Sequence, residues 1–231
     1  MATGKYTYFI LLFLSVVGPL MLSFDKKVHY YKRWRFLFPA ILRAAVLFIL
    51  WDVIFTRTGV WEFNEKFTAG WHLWHLPVEE WLFFLVVPFS CLFIFDVVVF
   101  YFPKLQFTSR RVDKAVLSIL AIFLLIFSIY FRHKYYTFIV SLLAASYLIM
   151  ILIFRRRINW LAHFLVAYLI ALVPFGIVNG LLTSLPVVCY NPSDNIGVRF
   201  MTIPLEDFIY LFLLLLMVTD YYKVLLFRRG N

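Results

Sequence analysis

The chain is short of charge. Asp, Glu, Lys and Arg make up 15% of its 231 residues, whereas soluble domains carry about 25%. That shortage excludes an ordinary water-soluble globule. Cysteine is nearly absent. Cys91 falls in an apolar run and Cys189 in an expected loop, so no disulfide framework is expected. Several motifs are also missing. No Gly-x-Gly-x-x-Gly occurs, which removes the dinucleotide-binding signature. There is no Asp-Asp-x-x-Asp to hold a diphosphate through magnesium, and no Asp-x-Asp-Asp of soluble terpene cyclases. No Lys lies midway along the last apolar run, as a retinal protein needs, because Lys223 is too near its end. The first run, Tyr6 to Phe24, lacks a basic leader and a small-x-small cleavage site before Asp25, so it reads as a retained span.

What the chain has instead is hydrophobic length. Apolar residues are 64% of the total and gather in runs long enough to cross a bilayer. Seven spans are expected, at about 6–24, 36–56, 78–102, 113–131, 136–154, 160–182 and 203–227. Each is close to the roughly 20 residues that a crossing takes. The expected fold class is an all-α integral membrane protein with seven transmembrane helices, multi-pass in the cell membrane. The net charge of +10 does not point to nucleic acid. Its basic residues sit in short loops beside the spans, where they set topology. Lys26, Lys27, Lys32, Arg33, Arg35, Lys104, Arg110, Arg111, Lys114, Arg155, Arg156, Arg157, Lys223, Arg228 and Arg229 fall on one side; Lys5, Arg57, Lys66, Arg132, Lys134 and Arg199 fall on the other. The richer side is the inner one, which puts the N-terminus out and the C-terminus in.

One stretch occurs twice, 127 residues apart and without a gap. Phe63 to Trp81 aligns with Tyr190 to Phe208. Asn64 falls on Asn191, Gly70 on Gly197, Pro77 on Pro204, Glu79 on Glu206 and Glu80 on Asp207. Upstream, Asp52 falls on Asn179 and Thr56 on Thr183. Spans 1–3 therefore repeat as spans 5–7, and span 4 restores the direction between two parallel three-helix repeats. The expected units are 1–105, a linker span within 106–134, and 135–231.

Each copy ends in Pro-x-acid-acid and then enters an apolar run. Proline and acids are a good start for any helix, because the dipole favours carboxylates there. Helix capping does not explain why the acids border hydrocarbon, nor why Asp52 lies near their depth. Ionisable groups in a membrane mark function by default. Carboxylates crowded in a water-poor site cannot all stay ionised, so at least one holds a proton. Glu79, Glu80, Glu206 and Asp207 are therefore the catalytic candidates. Asp52 and Asn179 are expected to support them with unlike chemistry, since Asn only hydrogen-bonds. Asn64 and Asn191 read as turn residues, and Gly70 and Gly197 as backbone conformations that only Gly accepts. His72 and His75 before Glu79 and Glu80 suggest a metal. The position matching His72 is Arg199, which cannot ligate, so no metal is expected and a basic partner for the acids is. Trp61, Trp71 and Trp74 read as an interfacial belt, whereas Trp51, Trp81 and Phe208 flank the acids as rings that could face a cation. Arg43 is expected to pair with Asp96 or Asp220 near the inner face.

These residues resemble the lycopene cyclase domain family. The likeness rests on Trp51 to Asn64 and Leu76 to Phe84 in the first half. In the second it rests on Tyr190-Asn-Pro192, Gly197-Val-Arg199 and Ile203 to Phe208. His72 stands where the family pattern leads one to expect Arg. The resemblance implies cyclisation of lycopene to β-carotene or a related ring product. It implies lycopene and other linear carotenoids as substrates, with membrane lipids and other carotenoid-pathway enzymes as neighbours. No cofactor is implied, because the reaction has no net redox change. The rival is a small transporter with the same three-one-three helix plan. It needs a polar path at mid-depth, where spans 3, 5 and 7 carry almost unbroken Leu, Ile, Val and Phe.

Overall fold

The computed structural model describes residues 4–106, 109–155 and 158–227. Arg156, Arg157, Arg228 and Arg229, four of the basic residues used for topology, lie outside the described residues. Seven α-helices follow in chain order: α1 (Thr7–Leu22), α2 (Trp34–Arg57), α3 (Val78–Tyr101), α4 (Arg110–Tyr130), α5 (Tyr135–Phe154), α6 (Leu161–Ser184) and α7 (Leu205–Phe227). All but α1 are long and apolar enough to cross a membrane. At 1.5 Å per residue α3 is about 36 Å long and α1 about 24 Å. The α1 helix is shorter than expected at both ends. It starts only after a turn in which the Thr7 hydroxyl and amide bond Gly4 O. It stops at Leu22, where the Ser23 hydroxyl turns back to Pro19 O.

Proline shapes the interior of the bundle. Pro19 within α1 leaves the carbonyl of Ser15 without its helical donor. The Ser90 hydroxyl of α3 supplies one at 2.9 Å, so the break in one helix is repaired by its neighbour. The α1 helix packs on α3, as α5 packs on α7. The two middle helices cross over, α2 onto α7 and α6 onto α3. The α4 helix packs chiefly on α5 through Leu117, Ala121 and Leu124, and leaves Ile119, Ile122, Phe123, Ile126 and Ile129 exposed. An unburied apolar face of that kind suits contact with lipid.

Six short strands cap one end: β1 (Trp61–Phe63), β2 (His72–Leu73), β3 (Leu76–Pro77), β4 (Val188–Tyr190), β5 (Arg199–Phe200) and β6 (Ile203–Pro204). The internal repeat is visible bond by bond. The hairpin β2–β3 pairs His72 with Pro77, and β5–β6 pairs Arg199 with Pro204, each 127 residues on. Val78 N bonds Trp71 O, and Leu205 N bonds Val198 O. Asn64 and Asn191 fold their own turns, their Oδ1 atoms accepting from Lys66 N and Ser193 N. Gly70 and Gly197 hold φ of +83° and +76°, which side chains rarely adopt. The copies also grip each other. The strands β1 and β4 pair antiparallel about Glu62 and Cys189, themselves equivalent positions. Asn64 N reaches Val187 O, and Asn191 N reaches Val60 O, the same bond given in both directions.

The charges expected near the inner face pair differently. Asp96 pairs with Arg33 at 2.9 Å and accepts from Tyr222. Asp220 pairs with Arg155 and accepts from Tyr147. Arg43 instead lies over the Tyr221 ring, 5.4 Å from its centroid. Arg33 and Arg155 flank helix ends, whereas Arg43 lies within α2 with its side chain exposed.

Candidate active site

Adjacent acids on a helix point about 100° apart, so only one of each pair can face a given neighbour. Glu79 and Glu206 turn back to their own loops. Glu79 Oε1 accepts the amide of Ala69 at 2.6 Å, and Glu206 Oε1 accepts the amide of Ile196 at 2.9 Å. Glu206 also accepts from the Thr137 hydroxyl. Both are fully or almost fully buried, and each second oxygen has no protein partner. Glu80 and Asp207 face the other way, into a small cavity between the two copies.

That cavity encloses about 50 Å³. Asp52 joins Glu80 there, and the two carboxyls face each other across the cavity. Tyr8 Oη donates to Glu80 at 2.6 Å, and Tyr210 Oη donates to Asp52 at 2.7 Å. Asp207 is held differently. It accepts from Tyr136 Oη, Tyr190 Oη and Asn179 Nδ2, each at 2.8 Å. Burial and the Asp207 carboxyl push the Tyr190 phenol well above its usual range, so it remains a donor. Two facing carboxyls can bond each other only when one of them carries a proton, because a carboxylate has no hydrogen to give. A carboxyl facing three donors is set up as an acceptor. The cavity thus sets a facing pair of carboxyls against a third carboxyl ringed by donors.

Aromatic rings complete the wall: Trp61, Phe63, Phe83, Phe175 and the site tyrosines. Trp61 is a correction. Expected at a solvent-side belt with Trp71 and Trp74, it is buried against Phe55, Tyr136 and Tyr190, while the other two are exposed. Its place in β1, paired with Tyr190, draws it inward.

The remaining candidates stand around this cavity without entering it. Trp51 is buried between Phe48, Phe55 and Tyr210. Trp81 donates to Leu73 O and packs on Trp74. Phe208 packs on Phe175 and Phe200. His72 and Arg199, expected beside the acids, lie exposed on the hairpins. His72 contacts Gly70 O, and Arg199 donates to Thr202 O while covering the outer side of the Tyr190 ring. Among the described residues no group of three His, Cys, Asp or Glu is arranged to hold a metal ion.

Sequence reasoning missed Tyr8, Tyr136 and Tyr210, and quoted Tyr190 only as part of a motif. A signal existed. Tyr8 and Tyr136 are equivalent, with Tyr8 N on Phe67 O and Tyr136 N on Asp194 O. Their offset is 128 rather than 127, so the register used for the motif does not align them.

The comparison with protein families now decides the identity. A family model described as Lycopene cyclase matches residues 5–98 and 133–225. The chain belongs to the lycopene cyclase family. The two matched segments are the two copies, and α4 falls in the gap between them. Family membership makes the chain an enzyme of carotenoid cyclisation, built as a helical protein with several membrane-crossing segments. A search of curated proteins and of solved structures found no match. For a cyclase of carotenoids, a buried acid and a buried base beside apolar walls are the chemistry to look for.

Proposed function

We propose that the chain converts lycopene ends into β-rings, through γ-carotene to β-carotene, by acid-initiated cyclisation. The observation that carries this reading is the unlike pair of carboxyl sites facing one aromatic cavity. The Asp52–Glu80 pair gives its proton to the terminal double bond of the polyene. The tertiary cation so formed is captured by the neighbouring double bond of the same chain, which closes the ring. Asp207 takes a proton from a ring carbon, and a cyclohexene remains. One proton enters and one leaves, so no oxidant, reductant or cofactor is consumed. The rings of Trp61, Phe83 and Tyr210 stabilise the passing cation in a site with little water. Asn179, Tyr136 and Tyr190 keep Asp207 oriented as the acceptor. Glu79 and Glu206 position the two hairpins rather than touch the substrate.

In this reading α1–α3 and α5–α7 are two parallel repeats joined by α4, seven helices cross the cell membrane, and both carboxyl sites open at the outer side. A C-terminal reporter found outside the cell would reverse that orientation. The reaction is tested by expressing the chain in cells that accumulate lycopene and separating the pigments by chromatography. The expected result is loss of lycopene with gain of γ-carotene and β-carotene. Unchanged lycopene in membranes that contain the folded protein rejects the assignment.

A further inference from the structure

The bundle has two apolar grooves at equivalent places. One lies between α1, α3 and α6 and encloses about 360 Å³; Leu11, Leu14, Ser15, Val87 and Val178 are among its walls. The other lies between α2, α5 and α7 and encloses about 390 Å³. The repeat relates them residue by residue. Phe175 answers to Phe48 and Val178 to Trp51 at the 127-residue offset, and Ser15 answers to Leu143 at the 128-residue offset of the first and fifth helices.

Only one groove reaches the carboxyls. Phe83, Phe175 and Asn179 line both the first groove and the acid cavity, so the two spaces meet there. The second groove ends at Phe48 and Trp51. Behind them stands Tyr210, with ring centroids 5.0 Å from Phe48 and 4.9 Å from Trp51, and its hydroxyl is tied to Asp52. Val178 leaves open in one groove the position that Trp51 fills in the other. The acid cavity is about a seventh of the first groove's volume. A bulky hydrocarbon end must therefore lie mostly in the groove and present its double bond across Phe83, Phe175 and Asn179.

We propose that the linear polyene substrate reaches and occupies the groove between α1, α3 and α6, and that Trp51 and Tyr210 close the equivalent groove to it. This inference rests on the cyclisation reading. It is tested with purified protein in lipid nanodiscs supplied with lycopene, at equal amounts of folded protein. Val178→Trp places in the open groove the residue that its counterpart carries. Leu14→Trp, on the exposed outer rim, decides alone if Val178→Trp does not accumulate. Each is expected to lower kcat/KM at least tenfold, mainly through KM. Ser146→Trp, on an exposed position of the other groove, is expected to stay within twofold of the unaltered chain. If Val178→Trp and Leu14→Trp stay within twofold, the groove holds a lipid chain and the entrance is elsewhere. An equal loss in Ser146→Trp overturns the one-sided entrance. Failure of the unaltered chain to convert lycopene is a different result, since it removes the cyclisation reading itself.

Discussion

Glu79 and Glu80 are neighbours in sequence, and exchanging each for Gln separates two kinds of buried carboxyl. Glu80→Gln removes an acidic hydrogen from the cavity while keeping the shape and the acceptor for Tyr8. Loss of general acid catalysis amounts to about 10²–10⁴ in rate. At about 1.36 kcal/mol per tenfold, that is roughly 2.7–5.4 kcal/mol of barrier. Stability should change little, because burying an amide costs less than burying a carboxyl that must share its proton with Asp52. Glu79→Gln acts elsewhere. Its contact with Ala69 N passes from a carboxyl oxygen to an amide oxygen, a loss of about 1 kcal/mol. The new amide NH₂ then occupies the place of a buried oxygen with no protein partner, at a cost of about 1–3 kcal/mol. The expected result is a turn weakened by about 2–4 kcal/mol and a fall in kcat of less than tenfold in the protein that remains folded. Thermal unfolding of purified protein gives the first quantity, and product formation from lycopene gives the second. The reasoning fails if Glu80→Gln cyclises lycopene at the original rate, or if Glu79→Gln is inert while melting normally.

Further outcomes follow from single contacts. Tyr190→Phe removes one of three donors to Asp207 and should lower kcat about 10–100-fold, the equivalent of a lost bond to a charged group, with KM nearly constant in steady-state assays. Gly70→Ala and Gly197→Ala meet no neighbouring atom, so their cost is backbone strain alone. Each should cost about 1–2 kcal/mol and lower the thermal midpoint by about 2–8 °C. Arg155→Leu strips buried Asp220 of its ion partner while Tyr147 still donates, and should destabilise by about 3 kcal/mol without changing the product pattern. Equal stability of Arg155→Leu and the unaltered chain would show that Asp220 needs no counter-charge.

The parts of this fold that follow from local pattern were legible in the chain. Apolar runs bounded by Lys and Arg mark α2 to α7 to within a few residues, because hydrocarbon leaves no other use for such runs. The Asn…Gly…Pro-x-acid-acid stretch marks the repeat because each residue has a backbone duty: Asn64 turns the loop, Gly70 takes a positive φ and Pro77 starts α3. What was illegible depends on direction. Nothing in the order Glu79, Glu80 says which faces the cavity, although the helical pitch requires that only one can. Tyr8 and Tyr136 resembled the many other aromatics near helix ends, and a one-residue difference in offset hid their equivalence. Trp61 looked like its exposed neighbours until the pairing of β1 with β4 turned it inward.

The duplication accounts for more than the helix plan. A strictly symmetric protein would set two identical carboxyl sites against each other, and neither would be assigned to give or to take a proton. The backbone is repeated closely, down to reciprocal bonds between the loops. Three of the positions that break the symmetry in the cavity bear on its carboxyls. Asp52 faces Glu80 where Asn179 faces Asp207, so one carboxyl meets a second acid and the other meets an amide donor. Phe63 stands where the other copy has Tyr190, which gives the added donor to Asp207 alone. Phe83 stands where the other copy has Tyr210, whose hydroxyl crosses to Asp52 and whose ring helps to shut the second groove. In the proposed reaction these differences make one half an acid and the other a base, and one of them, Tyr210, stands with Trp51 at the closed end of the second groove. An enzyme that needs one proton donor, one proton acceptor and one entrance can thus be built from two copies of the same unit.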